Sequence, residues 1–334
     1  MIIKILYKIK MSVINNGINE ERVKNKIELT LSIKENDVNT KVYFLDNTEG
    51  VTYHENDKEI YHFHDNLTEL NRENTELFIN NEKILFEKYF IPKIGGKYIV
   101  KLIFNLEFEN CGYMFYGCKN ITKIDLSLFK THNIRNMRYM FSNCLNLNKL
   151  DLINFSTESV RNMEYMFSFC RKLSKINLSN FNTKNVINME GMFSGCQNII
   201  NINLFSFNTE KVISMERMFS HCCNLIDINL TSFNIQNVIN MEDMFSYCSN
   251  LSKIDLYTFN NRKISNIMSM FSNCGNLTEA DLSSFNINHE IKMNNMFYEC
   301  SNLMHIKINR KSYNKIKEEV NNWSLPCTIT LIEI

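Results

Sequence analysis

The chain of 334 residues has two prolines, one tryptophan and a single alanine, Ala280. With abundant Asn, Ile and Lys, that bias reads as the composition of an AT-rich genome. A disordered Asn-rich tract is disfavoured, because the asparagines are interleaved with regular apolar ladders. Charge of one sign is also missing: 37 Lys and Arg against 36 Asp and Glu give a formal net charge of +1. A near-neutral balance leaves no electrostatic footprint for nucleic acid or an anionic membrane. No apolar run approaches the roughly 18 residues of a membrane helix, so no membrane insertion is expected. The first residues are interrupted by Lys4, Lys8 and Lys10 and lack the apolar region, about 7–15 residues long, of a signal peptide. The expected location is therefore cytoplasmic, with the cell surface as the alternative. No Ser-His-Asp arrangement, glycine-rich phosphate loop or metal motif stands out, so no catalytic residue, cofactor or metal site is assigned and the chain is read as not an enzyme.

What is present is a repeat. Met-Phe recurs at Met114, Met140, Met166, Met192, Met218, Met244, Met270 and Met296, without insertion or deletion. A period of this size marks a solenoid or array. A cysteine follows each Met by four residues, from Cys118 to Cys300, then aliphatics at the seventh, tenth and twelfth positions, and Phe at the fifteenth from Phe129 to Phe285. The cysteine spacing matches no zinc pattern. Neighbouring members of a parallel stack lie roughly 4.8 Å apart, so disulfide pairing stays open on distance, but a reduced, buried column is preferred because free Cys is among the most buried residue types.

In one unit, Val186, Met189, Met192, Phe193 and Cys196 fall within roughly a 120° arc at about 100° per residue, the apolar face of a short helix. Asn182 or Thr183 can cap it. Ile202 and Leu204 then alternate with Asn201 and Asn203 as a short strand. The expected fold is an α/β repeat solenoid: a leucine-rich-repeat stack with parallel strands on one face, short helices on the other, and a β-rich N-terminal cap. Single units cannot bury their own apolar face, so stability comes from nearest-neighbour interfaces.

Segments such as NMEYMFSFCRKLSKINLSNFNTKNVINMEGMFSGC resemble the BspA-like leucine-rich-repeat family over about residues 110 to 309. The resemblance implies a right-handed, curved solenoid and a role in protein binding, often at a bacterial surface. An adhesin-type surface protein is therefore the alternative to an intracellular scaffold.

Three regions are expected: a β-rich cap domain over 1–105, the solenoid of eight units over 106–310, and a C-terminal cap over 311–334. In the first region His62 and His64 form a period-2 pair, with no third ligand evident. Specificity is left to the positions free of the ladders. Concave solenoid surfaces suit protein partners, and the strand-face candidates are Lys123, Asp125, Lys149, Asp151, Ile153, Lys175, Asn177, Asn203, Phe205, Asp227, Asn229 and Tyr257. The alternative is the expected helix face, with Arg135, Arg161, Glu164, Glu190, Glu216 and Glu242.

Overall fold

The computed structural model describes residues 24–46, 50–55, 58–63, 67–287, 290–320, 323 and 330–333. His64 and Cys327 lie outside them. Among the described residues the strands are β1 (Asn25–Ile33), β2 (Val42–Tyr43), β3 (Gly50–Glu55), β4 (Lys58–Phe63), β5 (Thr75–Ile79), β6 (Glu82–Ile84), β7 (Tyr89–Phe90), β8 (Gly96–Phe104), β9 (Ile121–Leu128), β10 (Lys149–Asp151), β11 (Glu279–Asp281), β12 (His305–Ile308) and β13 (Thr330–Glu333), with a short 3-10 turn at Glu35–Asp37 and an α-helix, α1 (Tyr313–Val320), before β13.

The N-terminal segment is built into the first repeat. Its sheet has the order β10-β9-β1-β8-β5-β6. β1 runs antiparallel to both β8 and β9, and β9 is parallel to β10. Ile27, Leu29, Leu31 and Ile33 alternate inward on β1 and join one continuous core with the repeat columns. The first repeat's outer edge is thereby hydrogen-bonded rather than open, which is what a solenoid end needs. At the other end β11, β12 and β13 form a three-stranded parallel sheet, and Trp323 closes on Phe297 at 5.2 Å.

The expected helices are absent from the described repeats. The Met-Phe segments are chains of tight turns. Met114, Tyr116 and Cys118 donate their N–H groups three residues back, to Cys111, Tyr113 and Phe115. The residues between them donate to the next repeat: Tyr113 to Arg138, Phe115 to Met140 and Gly117 to Ser142, each at 2.9 Å. An α-helix sends every N–H along its own axis; here every second one holds the neighbouring turn. The alternation requires positive φ at two positions per repeat, for example Tyr139 and Asn143, Tyr165 and Phe169, and Gly191 and Gly195. An apolar spacing of 3 and 4 residues suits either arrangement, so the pattern alone does not separate them.

The strand face departs from expectation too. Ladder pairing joins β9 to β10 and β11 to β12. Between them, 175–177, 201–203, 227–229 and 253–255 are extended, and among the described residues no backbone bond ties these segments together. The reason is spacing. Tyr113, Tyr139 and Tyr165 on the turn face stack at 4.9 Å. Met-Phe rings step by 5.4–5.6 Å. The Phe column that follows the strands steps by 6.0–6.5 Å. Ladder pairing needs about 4.8 Å, so the array bends toward the turn face. The strand face, expected to be the concave one, lies on the wider side.

The other columns fit inside this wedge. Thr183, read as a helix cap, instead accepts the Asn208 N–H and donates to the Asn208 carbonyl, both at 2.8 Å; Thr157 does the same with Asn182, and Thr209 with Asn234. The column cysteines are buried and free. Cys196 donates its S–H to the Phe167 carbonyl at 3.1 Å, and Cys222 to Phe193 at 3.2 Å. Burial pushes the Cys196 thiol up to about 12, far from the thiolate that exchange chemistry needs.

Phe181 lies between Phe155 and Phe207 and is buried. Phe181→Ala should destabilise the protein by about 3–5 kcal/mol in urea titration, with new protease cuts confined to the flanking repeats, because coupling runs between neighbours. Cuts spread evenly along the chain would contradict this local coupling.

Candidate functional site

On the strand face the first seven repeats end their extended segments with Asp or Asn, and the eighth has Lys307 there. The side-chain Oδ1 accepts the N–H two residues on: Asp151 from Ile153, Asn177 from Ser179, Asn203 from Phe205, Asn229 from Thr231, and Asp255 from Tyr257, at 3.0–3.1 Å. These are Asx turns. The candidates Asp151, Asn177, Asn203 and Asn229 thus have a structural task in addition to being exposed. Asp125 does the same for Ser127 and meets Lys123 at 3.7 Å. Burial raises its pKa, but the Ser127 bonds, Lys123 and Lys26 outweigh it and hold the carboxyl below the ordinary value.

The turns carry the following residue outward. Phe205 is 85% exposed, Ile153 61% and Tyr257 63%. Beside Phe205 lies a cleft of about 490 Å³, between Asn201–Phe205 and Asn229–Ser232. A second, of about 470 Å³, is lined by Asp227, Lys253, Asp255, Glu279 and Asp281. The structure therefore brings Phe205, Asn203 and Asn229 together, and sets Asp227 in the neighbouring cleft. Lys149, Lys175, Asp227 and Lys253 make no ion pair among the described residues.

The turn face is wired differently. The Arg138 guanidinium lies 5.6 and 5.4 Å from the Tyr113 and Tyr139 ring centres and binds Glu164 at 3.2 Å. Tyr165 leans over Gly191, where an added Cβ would clash with its ring, and donates its hydroxyl to Glu190 at 2.9 Å. Arg217 bridges Glu216 and Asp243, and Asn240 and Asn266 donate to Glu216 and Glu242 at 2.7 Å. Glu164, Glu190, Glu216 and Glu242 are thus partnered within the chain; Arg135 and Arg161 are exposed, Arg135 at 3.9 Å from Glu109. An apolar column, Ile187, Ile213 and Ile239, flanks this face and is also exposed. The tyrosine stack and its arginines were not singled out from the sequence, although three tyrosines at one repeat position are visible there. Among the described residues no group of three or more His, Cys, Asp or Glu side chains could hold a metal ion, and no helix is long and apolar enough to cross a membrane.

Burial, then the carboxylates of Glu216 and Glu164 in the adjoining repeats, push Glu190 up to about 7, against the Tyr165 bond and Arg217. A folded-state value above the ordinary one, about 4.3, means that the folded protein holds this proton more tightly than the unfolded chain. Below about pH 4 both states are protonated and nothing is lost. Stability then falls as pH rises toward 7 and stays lower above it. Glu190→Gln, which keeps an acceptor for Tyr165, should raise stability at pH 8 by up to about 3 kcal/mol and change little at pH 4. Equal effects in urea titrations at the two pH values would refute the assignment.

A profile of the family described as "Mycoplasma protein of unknown function, DUF285" matches residues 109–229 and 197–310, together more than half of the chain. No curated protein matches. Among solved structures, the chain is similar to a leucine-rich repeat protein from Bacteroides ovatus ATCC 8483 at 15% identity, covering 72% of this chain and 89% of that one, with a TM-score of 0.24.

Proposed function

The chain belongs to the DUF285 repeat family, and from that starting point we propose that it is a non-enzymatic, protein-binding scaffold of the leucine-rich-repeat kind, which engages its partner through the strand face. One contrast carries this reading. Strand-face charges at Lys149, Lys175 and Asp227 are exposed and make no ion pair among the described residues, whereas the turn-face carboxylates are partnered within the chain. Charges already satisfied internally offer a partner little, and exposed unpaired ones beside an aromatic anchor offer more. Phe205 is that anchor. Residues 1–105 and 311–334 serve as caps in this reading, and a cytoplasmic location suits it. A surface adhesin of the BspA-like kind is the second reading, favoured by the Asn-Met-x-x-Met-Phe-x-x-Cys pattern.

The test places a photo-crosslinking residue in the full chain at Phe205 or, separately, at Ile213 on the flank of the turn face, and illuminates cells of the source organism. Protein adducts should form from position 205 and be several-fold fewer from 213. Adducts from 213 alone would move the binding surface to the turn face. Surface labelling of intact cells then separates the scaffold from the adhesin.

A further inference from the structure

The centre of the strand face is complementary to itself. Ile153 and Tyr257, the exposed apolar residues at the repeat position of Phe205, lie two repeats to either side of it. A two-fold axis parallel to the extended segments, at the level of Phe205, sets the repeats of one copy against those of another in reverse order, as an isologous contact requires. It lays Phe205 on Phe205 and Ile153 on Tyr257. In the column of Lys149 and Lys175 the same operation puts Lys175 opposite Asp227. Farther out, Lys149 falls opposite Lys253 and Asp151 opposite Asp255, like charges whose opposite-sign neighbours sit two residues along the strand, so the charge match is confined to the central repeats. Asn177 meets Asn229, and Asn201 meets itself.

The intramolecular pairing follows the same division. Lys123 and Glu279 at the ends of the face are occupied within the chain, by Asp125 at 3.7 Å and Lys307 at 2.6 Å. Lys149, Lys175, Asp227 and Lys253, nearer the centre, are exposed and make no ion pair among the described residues. The face lies on the wider side of the bend, so its central repeats make contact first. The cleft of about 490 Å³ beside Phe205 offers a seat for an aromatic ring, and the two-fold provides it twice.

We propose that the occupant of the strand face is a second copy of this chain, docked about that two-fold with each Phe205 seated in the cleft beside the other copy's Phe205 and each Lys175 paired with the other copy's Asp227; this rests on the reading of the strand face as the contact surface. A contact confined to the central repeats belongs with the smaller, reversible interfaces. The assembly is therefore a concentration-dependent dimer.

Sedimentation equilibrium of the full chain over a range of concentrations tests it. The wild-type protein should show a reversible monomer–dimer equilibrium. Phe205→Asp, Lys175→Asp and Asp227→Lys, all at exposed positions and checked for folding by circular dichroism, should each weaken it by about tenfold or more. The double variant Lys175→Asp/Asp227→Lys should return it to within a few-fold of wild type, because opposite charges face each other again. A monomer at every concentration, a dimer indifferent to all three single changes, or no recovery in the double variant would overturn the proposal. Monomeric protein whose Phe205 photo-adducts contain only other proteins would remove the second copy and leave the strand-face reading in place. A dimer broken by Ile213→Asp but not by Phe205→Asp would remove both.

Discussion

The structure depends on one arrangement of backbone donors: in the Met-Phe segments, alternate N–H groups leave their own turn and bind the next. Met163, Tyr165, Phe167 and Phe169 donate to Asn188, Glu190, Met192 and Ser194. Four such bonds, at about 1 kcal/mol each, are comparable to two left-handed residues per repeat at about 1–2 kcal/mol each. The ladder therefore fixes the geometry of the stack, and burial of the Met, Phe, Cys and aliphatic columns supplies its net stability. Repeats can be joined in this way without a helix and without much glycine. The left-handed positions hold Tyr, Asn, Phe, Arg, His and Asp as well as Gly, which suits a chain with only nine glycines.

Holding one face at ladder spacing has consequences for the other. The Phe rings behind the strand face step too widely for continuous pairing, so among the described residues the repeat strands form ladders only at the two ends, where β1 and β13 complete the sheets. Each extended segment in the middle is turned outward by its own Asp or Asn rather than by a neighbouring strand. On the narrow face the charged side chains are partnered: Arg138 binds Glu164, Tyr165 donates to Glu190, and Arg217 bridges Glu216 and Asp243. The middle of the wide face leaves Lys149, Lys175, Asp227 and Lys253 without an ion pair among the described residues. The division between a self-satisfied surface and an available one follows from the wedge.

Much of this was legible in the residues. The columns of Met, Cys, Leu or Ile, and Phe follow from the period alone and are buried except for the half-buried Leu150 and Ile176, and alternation places Ile153, Phe205 and Tyr257 outside. The helix was misread because Val186, Met189, Met192, Phe193 and Cys196 suit a helix and a chain of turns equally. Gly191 and Gly195 mark the left-handed positions in that repeat, but Tyr165 and Phe169 hide them in the one before. Thr183 looked like a local cap because its partner, Asn208, belongs to another repeat and cannot be seen along the chain. The strand-face Asp and Asn residues read as free binding groups for a similar reason: an Asx turn at the end of a strand has the same composition as a polar binding position. The raised pKa of Glu190 depends on its burial and on which carboxylates the stack brings beside it, and that follows only from the three-dimensional spacing of the turns.

The most direct measurement is residue-resolved amide hydrogen exchange on the native protein. If the turn-face ladder organises the stack, the N–H groups of Phe167, Phe193 and Phe219, each bonded to the next repeat at 2.9 Å, exchange among the slowest in the chain. Those of the extended segments 201–203 and 227–229, which have no inter-repeat backbone bond, exchange among the fastest of the repeat region. Slow exchange across 201–203 and 227–229 together with fast exchange at Phe167, Phe193 and Phe219 would show that a strand ladder carries the stack, and would contradict the account.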